Sequence, residues 1–139
     1  MKVVLDTSVF IRALINPYGV NAQLFQLADR YEVVVSESII EEILEVVYRS
    51  SLRKKYTSMT EIRIEEMLDI IEGAKNAVPK TPIAICRDPN DDRFLECAVE
   101  GKVDYLVSAD KDLLDMKEYK EIKIISGSEF LKILLERED

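Results

Sequence analysis

Short apolar runs without polar alternation punctuate the chain at Val3-Val4-Leu5, Val33-Val34-Val35 and Tyr105-Leu106-Val107, with a fourth, Ile122-Lys123-Ile124-Ile125, near the end. Runs of this length, rich in β-branched residues, become strands. The missing alternation means that both faces are covered, as in a parallel sheet flanked by helices. Between the runs, apolar residues recur at spacings of three and four. Val9 to Ile15 predicts a helix capped by Thr7 or Ser8 and stopped by Asn16-Pro17-Tyr18-Gly19. A second runs from about Asn21 to Arg30, with Leu24, Phe25, Leu27 and Ala28 inward. Ser36 or Ser38 opens a third that carries Ile39, Ile40, Ile43, Leu44, Val46 and Val47. Ile62, Met67, Leu68, Ile70 and Ile71 place a long helix to about Lys75. Val78 to Ile85, broken by Pro79 and Pro82, reads as a loop with at most a short edge strand. Asp88-Pro89 opens a helix with Phe94, Leu95, Ala98 and Val99 inward, and Ser126 or Ser128 caps the last one.

The order β-α-α-β-α-α-α-β-α-β-α predicts an α/β fold: a three-layer α/β/α sandwich around a central parallel sheet of four to five strands. With 139 residues, one domain spans 1–139, and the helices from about 37 to 75 form a helical arm.

Composition narrows the chemistry. The chain has no histidine, which removes Ser-His-Asp and Cys-His catalysis and most zinc sites. Its net charge of −8 argues against binding nucleic acid through general basicity. Cys86 and Cys97 are too far apart for a CxxC motif and too few for a disulfide scaffold, so both are expected as reduced thiols. Asp6 interrupts the first apolar run, no signal peptide is visible, and no run approaches the roughly 20 residues of a membrane span. A cytoplasmic protein without membrane association is expected.

The acids recur where a parallel sheet holds its ligands, at the carboxyl ends of strands. Asp6 follows the first run, and Ser108 and Asp110 follow the third. Asp91 and Asp92, in the first turn of the helix before that strand, reach the same edge. Of Glu41, Glu42 and Glu45, only Glu42 has apolar neighbours on both sides, Ile39 and Val46, so it points inward. Each acid alone also reads as a helix cap or first-turn residue. Gathered together, four carboxylates repel one another, and without histidine a divalent cation is the economical counter-charge. All-oxygen donors suit Mg²⁺ or Mn²⁺, and such sites run phosphoryl transfer.

These residues resemble a known family. Leu5-Asp6-Thr7-Ser8-Val9 is similar to the opening motif of PIN domains, and Ile40-Glu41-Glu42-Ile43 to their second acidic motif. Asp88-Pro89-Asn90-Asp91-Asp92-Arg93-Phe94-Leu95 and Asp104-Tyr105-Leu106-Val107-Ser108-Ala109-Asp110-Lys111-Asp112 resemble the third and fourth. The order is right and nearly the whole chain is covered. The resemblance is strongest to the VapC-like toxin components of toxin–antitoxin systems. It implies a Mg²⁺- or Mn²⁺-dependent endoribonuclease that cuts single-stranded RNA, a PIN-like fold, an antitoxin partner, and association as a homodimer or higher homo-oligomer. It also implies Asp6, Glu42, Asp92 and Asp110 as catalytic metal ligands, with Asp112 as a fifth acid. Asp92 is favoured over Asp91 because Arg93 follows it. Thr7 and Ser8 match the hydroxyl position, and Ser108, Arg12 and Arg93 lie near the predicted edge. The basic run Arg49, Arg53, Lys54, Lys55, with Tyr56, offers a further surface for phosphates.

Two rivals share strand-end acids. A receiver-type phosphoacceptor wants a lysine after the last strand, where Ser126-Gly127-Ser128 stands, and a dehalogenase-type phosphatase wants an acid at Ser8. The remaining alternative is a non-catalytic PIN-like module that binds RNA or protein.

Overall fold

A computed structural model describes residues 1–137; Glu138 and Asp139 lie outside the described residues. The first half runs β1 (Lys2–Leu5), α1 (Thr7–Ile15), α2 (Val20–Gln26), β2 (Glu32–Val35), α3 (Glu37–Val47), α4 (Ser50–Lys55), α5 (Glu61–Glu72) and β3 (Lys75–Asn76). A 3-10 turn at Pro89–Asp91 then leads into α6 (Asp92–Glu100), β4 (Tyr105–Val107), α7 (Lys111–Leu114), β5 (Glu118–Tyr119), β6 (Ile122–Ile125) and α8 (Gly127–Glu136).

The six strands form one sheet in the order β3-β2-β1-β4-β6-β5. Every pairing is parallel except β5 with β6. Val3, Val4, Leu5, Val34, Leu106 and Val107 are almost wholly buried, as strands covered on both faces must be. Helix α6 lies against β1, β2 and β4, while α1 packs on α2 and α3, and α2 on α8. The expected sandwich is therefore present, with five parallel strands and one short antiparallel edge strand.

Connections from β1 lead to β2 on one side, whereas the return from β3 enters β4 on the other. β1 and β4 thus flank the point where the strand order reverses, the place where open parallel sheets hold ligands. Leu5 pairs with Val107, and Asp6 N–H donates to Val107 O at 3.0 Å, so Asp6 and Ser108 leave the sheet side by side.

Local caps set the helix starts. Ser36, Thr60 and Ser126 each accept from an amide in the first turn, and Ser126 completes a capping box with Glu129. Asp6, rather than Thr7 or Ser8, caps α1. The stretch 37–75 holds α3, α4 and α5, and α5 is laid on the core through Ile64, Met67 and Ile71.

The β5–β6 hairpin turns through Lys120 and Glu121, both left-handed, with φ of 47° and 69°. Two such residues in a two-residue connection make a type I′ turn, whose preferred residues are Asn-Gly. Each L-residue with a bulky side chain is strained by about 1 kcal/mol there. Replacing the pair by Lys120→Asn with Glu121→Gly is expected to stabilise the fold by about 1–2 kcal/mol in urea titrations. No gain in the urea midpoint would show that the turn is unstrained.

Candidate active site

The site grows from Asp6. Its carboxylate, almost fully buried, accepts from the Ser8 and Ser108 hydroxyls and, at 3.3 Å, from Val9 N–H. Each serine is held in turn. Ser8 Oγ accepts from Ala109 N–H at 3.1 Å, and Ser108 Oγ from Asp110 N–H at 2.8 Å. Two hydroxyl bridges therefore knit the turn after β1 to the turn after β4. They fix Asp6 and aim it, although burial still outweighs these bonds and pushes its pKa up. Thr7, next in the chain, keeps a buried Oγ1 without a partner.

Asp110 caps α7 through Asp112 N–H at 2.9 Å. Asp91 stands beside it at the end of the 3-10 turn. Burial pushes the Asp91 carboxyl up to about 7, helped by a hydrogen bond to Asp110 and by the charges of Asp110, Asp88 and Asp6. Asp91 thus carries its charge within reach of Asp110, Asp88 and Asp6.

Asp92 is not one of them. Its Oδ1 accepts from Cys86 N–H at 2.9 Å and Ile85 N–H at 3.2 Å. Burial acts to raise its pKa, but the bonds from Cys86 and Ile85 prevail and hold the carboxyl below the usual range. Asp92 anchors the loop that precedes the turn through these two bonds, while Asp91 is the acid beside Asp110.

The two outer acids are each paired with arginine. Glu42 Oε2 lies 3.1 Å from Arg93 Nη1, and Asp112 Oδ1 lies 3.0 Å from Arg87 Nη1. Arg87 escaped sequence reasoning, because nothing local marks its reach to α7. Arg12 is exposed on α1 and makes no ion pair among the described residues.

The basic run of α4 lies elsewhere. Ser58 and Arg63, in the turn and helix that follow it, bond to the last carbonyls of α1. Helix α1 starts at Asp6 and spans nine residues, so this corner is about 13 Å from the acids. Arg49 and Arg53 are moreover paired with Glu45 and Glu61. The run is therefore not a wall of this site.

All the available donors are hard oxygens, which fits a divalent cation such as Mg²⁺ or Mn²⁺ in chemistry. The elevated Asp91 fits a missing positive charge. Among the described residues, however, no three acidic or thiol groups stand arranged to hold a metal ion. Cys86 does not contribute, since burial first and then Asp92, Asp91 and Asp110 push its thiol up to about 12. Both cysteines are free.

The metal-free protein should be weakened by its own acids. Asp91 binds its proton more tightly folded than unfolded, where a carboxyl titrates near 4. The stability this lends is complete below pH 4 and is lost as pH rises through about 7. With EDTA present, the melting temperature should therefore fall between pH 5 and pH 8, and Asp91→Asn should flatten that fall. Mn²⁺ at pH 8 should restore the loss by binding only the folded state. An unchanged slope in Asp91→Asn would show that the three acids are not crowded.

Residues 2–112 match the PIN domain family. The chain is 36% identical over 128 residues to the uncharacterized protein MJ1680 of Methanocaldococcus jannaschii, across 89% of this chain and 81% of that one. In fold it is similar to PAE2754 from Pyrobaculum aerophilum, with a TM-score of 0.64 and 14% identity over 99% of this chain and 91% of that one. It is also similar to VapBC2 from Rickettsia felis bound to a DNA fragment from their promoter, with a TM-score of 0.53 and 15% identity over 91% of this chain and 98% of that one. At such low identities these two structures speak to the fold alone, but the match over residues 2–112 and the 36% identical relative do more: the chain belongs to the PIN domain family.

Proposed function

We propose that the protein is a metal-dependent endoribonuclease that hydrolyses phosphodiester bonds of single-stranded RNA, and that it is the toxin of a toxin–antitoxin pair. The observation that carries the reading is the Asp6, Asp91 and Asp110 cluster at the reversal point of the sheet, short of positive charge. PIN domains are generally nucleases, and membership of that family agrees with it. Similarity to the VapBC2 complex supports a small antitoxin protein as partner.

In this reading Asp6, Asp91 and Asp110 hold Mg²⁺ or Mn²⁺, directly or through water. A divalent cation there would lower the pKa of water and offset charge on the leaving oxygen. The chain's own residues do the rest. Ser8 and Ser108 keep the Asp6 carboxylate in one orientation. The Asp92 carboxylate holds the loop before the turn that presents Asp91. Among the described residues no helix is long and apolar enough to cross a membrane.

The test is cleavage of a single-stranded RNA by clean protein with Mn²⁺, with EDTA and Asp6→Asn as controls. Cleavage should require the metal and vanish in the variant. RNA binding without cutting would make the protein a non-catalytic PIN module, and cutting by Asp6→Asn would sink the assignment of the acids.

A further inference from the structure

The amino ends of β4 and β6 open onto a cleft of about 470 Å³, at the edge of the sheet opposite Asp6. Val103, Ile122 and the half-buried Tyr105 give it apolar walls, and Lys102, Lys120 and Lys123 stand exposed around it. None of these three lysines makes an ion pair among the described residues, in a chain with 27 acids to 19 basic residues. The acids of the lining are Asp104, which accepts from Lys2 N–H at 2.9 Å, and Glu121. Three lysines against two acids leave the cleft positive in a protein of net charge −8. The cleft also gathers strained backbone. Among the described residues four other than glycine have positive φ, and three of them line it: Lys102 at 51°, Lys120 at 47° and Glu121 at 69°. Lys102 follows α6 at the position where helix ends favour glycine, and Lys120 with Glu121 fills a turn that favours Asn-Gly. Strain of this kind is kept where the side chain has a use that glycine or asparagine cannot supply.

We propose that this cleft binds a nucleotide carrying two or more phosphates, with Lys102, Lys120 and Lys123 on the phosphates and Tyr105 against the base. The volume is that of a small-ligand site. Three ammonium groups that come from two separate turns and a strand suit several phosphate oxygens better than one carboxylate, and each acts as a mobile point charge. Lys120 Nζ lies over the Tyr119 ring at 5.5 Å, a contact that leaves its N–H donors unbonded. Tyr105 is braced from behind by Phe130, 5.9 Å between ring centroids, and offers a stacking surface beside the lysines. Asp104 and Glu121 supply acceptors for ribose hydroxyls. Asp104 is four residues before Ser108 along β4, about 13 Å from the turn that holds Asp6. Binding here therefore needs neither the carboxylates of the opposite edge nor RNA cleavage, and it goes beyond the nuclease reading.

The test is calorimetric titration of the full chain with ADP in EDTA at low salt. ADP should bind, pyrophosphate should bind about tenfold more weakly for want of a base to stack, and adenosine should give no measurable heat. Lys102→Gly and Lys123→Gln should each weaken ADP about tenfold by removing a charged donor. Lys102→Gly should at the same time raise the melting temperature by about 2–4 °C, because glycine relieves the left-handed strain. A lysine with a merely structural role would not combine a more stable fold with a weaker ligand. Lys111→Gln removes the same charge from α7, at the opposite edge, and should leave ADP binding unaltered. No heat from ADP, or an ADP affinity unaltered in both Lys102→Gly and Lys123→Gln, overturns the site. Pyrophosphate bound as tightly as ADP overturns the nucleotide. An RNA strand that loses affinity in the lysine variants while ADP fails to bind also overturns it, and makes the cleft a contact for the polymer. Because the titrations are done in EDTA, none of these outcomes bears on metal-dependent cleavage.

Discussion

Asp91→Asn should lower RNA cleavage at least about 100-fold while raising the melting temperature of the metal-free protein at pH 8, whereas Asp92→Ala should lower the melting temperature and cost less than tenfold in cleavage. The first figure follows because residues that merely orient a metal ligand already cost 10- to 100-fold. Asp91 is crowded by Asp110, Asp88 and Asp6, so a neutral amide relieves repulsion that only a cation otherwise offsets. Asp92 is in the opposite position. Its carboxylate satisfies two amides, Ile85 N–H and Cys86 N–H, and its lowered pKa shows that the fold favours the charged form. Removing it leaves both donors without their acceptor, at about 2 kcal/mol, which for a chain of this size is about 4–8 °C in the melting temperature. Cleavage measured well below that midpoint should fall by less than tenfold. Equal losses of activity in the two variants would place both acids in the site and undo the distinction.

The sheet was legible because its strands are buried on both faces and read as unbroken apolar runs. Strands β3 and β5 were not. Lys75-Asn76 and Glu118-Tyr119 carry no apolar signal, and they are strands only because Val34 and Val35, or Ile122 and Lys123, lie alongside. Helix α5 was expected to continue to Lys75 for the same reason: nothing local shows that Val35 O waits for Ala77 N–H.

For the site, Asp6 and Asp110 were legible as acids that follow strands, and the parallel register then sets them side by side. Ser8 and Ser108 could be placed near the edge, but their shared hold on Asp6 depends on β1 and β4 being neighbours. Asp91 and Asp92 stand next to each other in the turn that opens α6, and only the bonds that Ile85 and Cys86 N–H make to Asp92, from a loop distant in pattern, tell their surroundings apart. Glu42 was placed by its apolar neighbours, yet its partner Arg93 lies on another element. The basic run looked useful in sequence because distance along a helix is invisible there.

Arg63 ties α5 to the end of α1 opposite Asp6, and its removal should be the most costly single change among the exposed and half-exposed polar residues. Its guanidinium donates to three carbonyls: Leu14 O at 2.6 Å, Ser58 O at 2.7 Å and Ala13 O at 2.8 Å. Two of these end α1, where a helix lacks intrahelical donors and where a positive charge meets the negative end of the dipole. Ser58 Oγ covers Leu14 O and Ile15 O from the same side. Bonds from a charged donor are each worth about 1.5–3 kcal/mol and do not add fully, so Arg63→Met, which keeps the apolar stem, should cost about 3 kcal/mol. The melting temperature should drop by about 6–12 °C, and Ser58→Ala by a smaller step. Helix α5 should also exchange its amides faster than the core, since Ile64, Met67 and Ile71 would then hold it alone. Because α1 separates this corner from Asp6 by about 13 Å, RNA cleavage per folded molecule should be unaltered. A loss below about 0.5 kcal/mol would mean that Arg63 is solvated and that α5 docks by its apolar face without it.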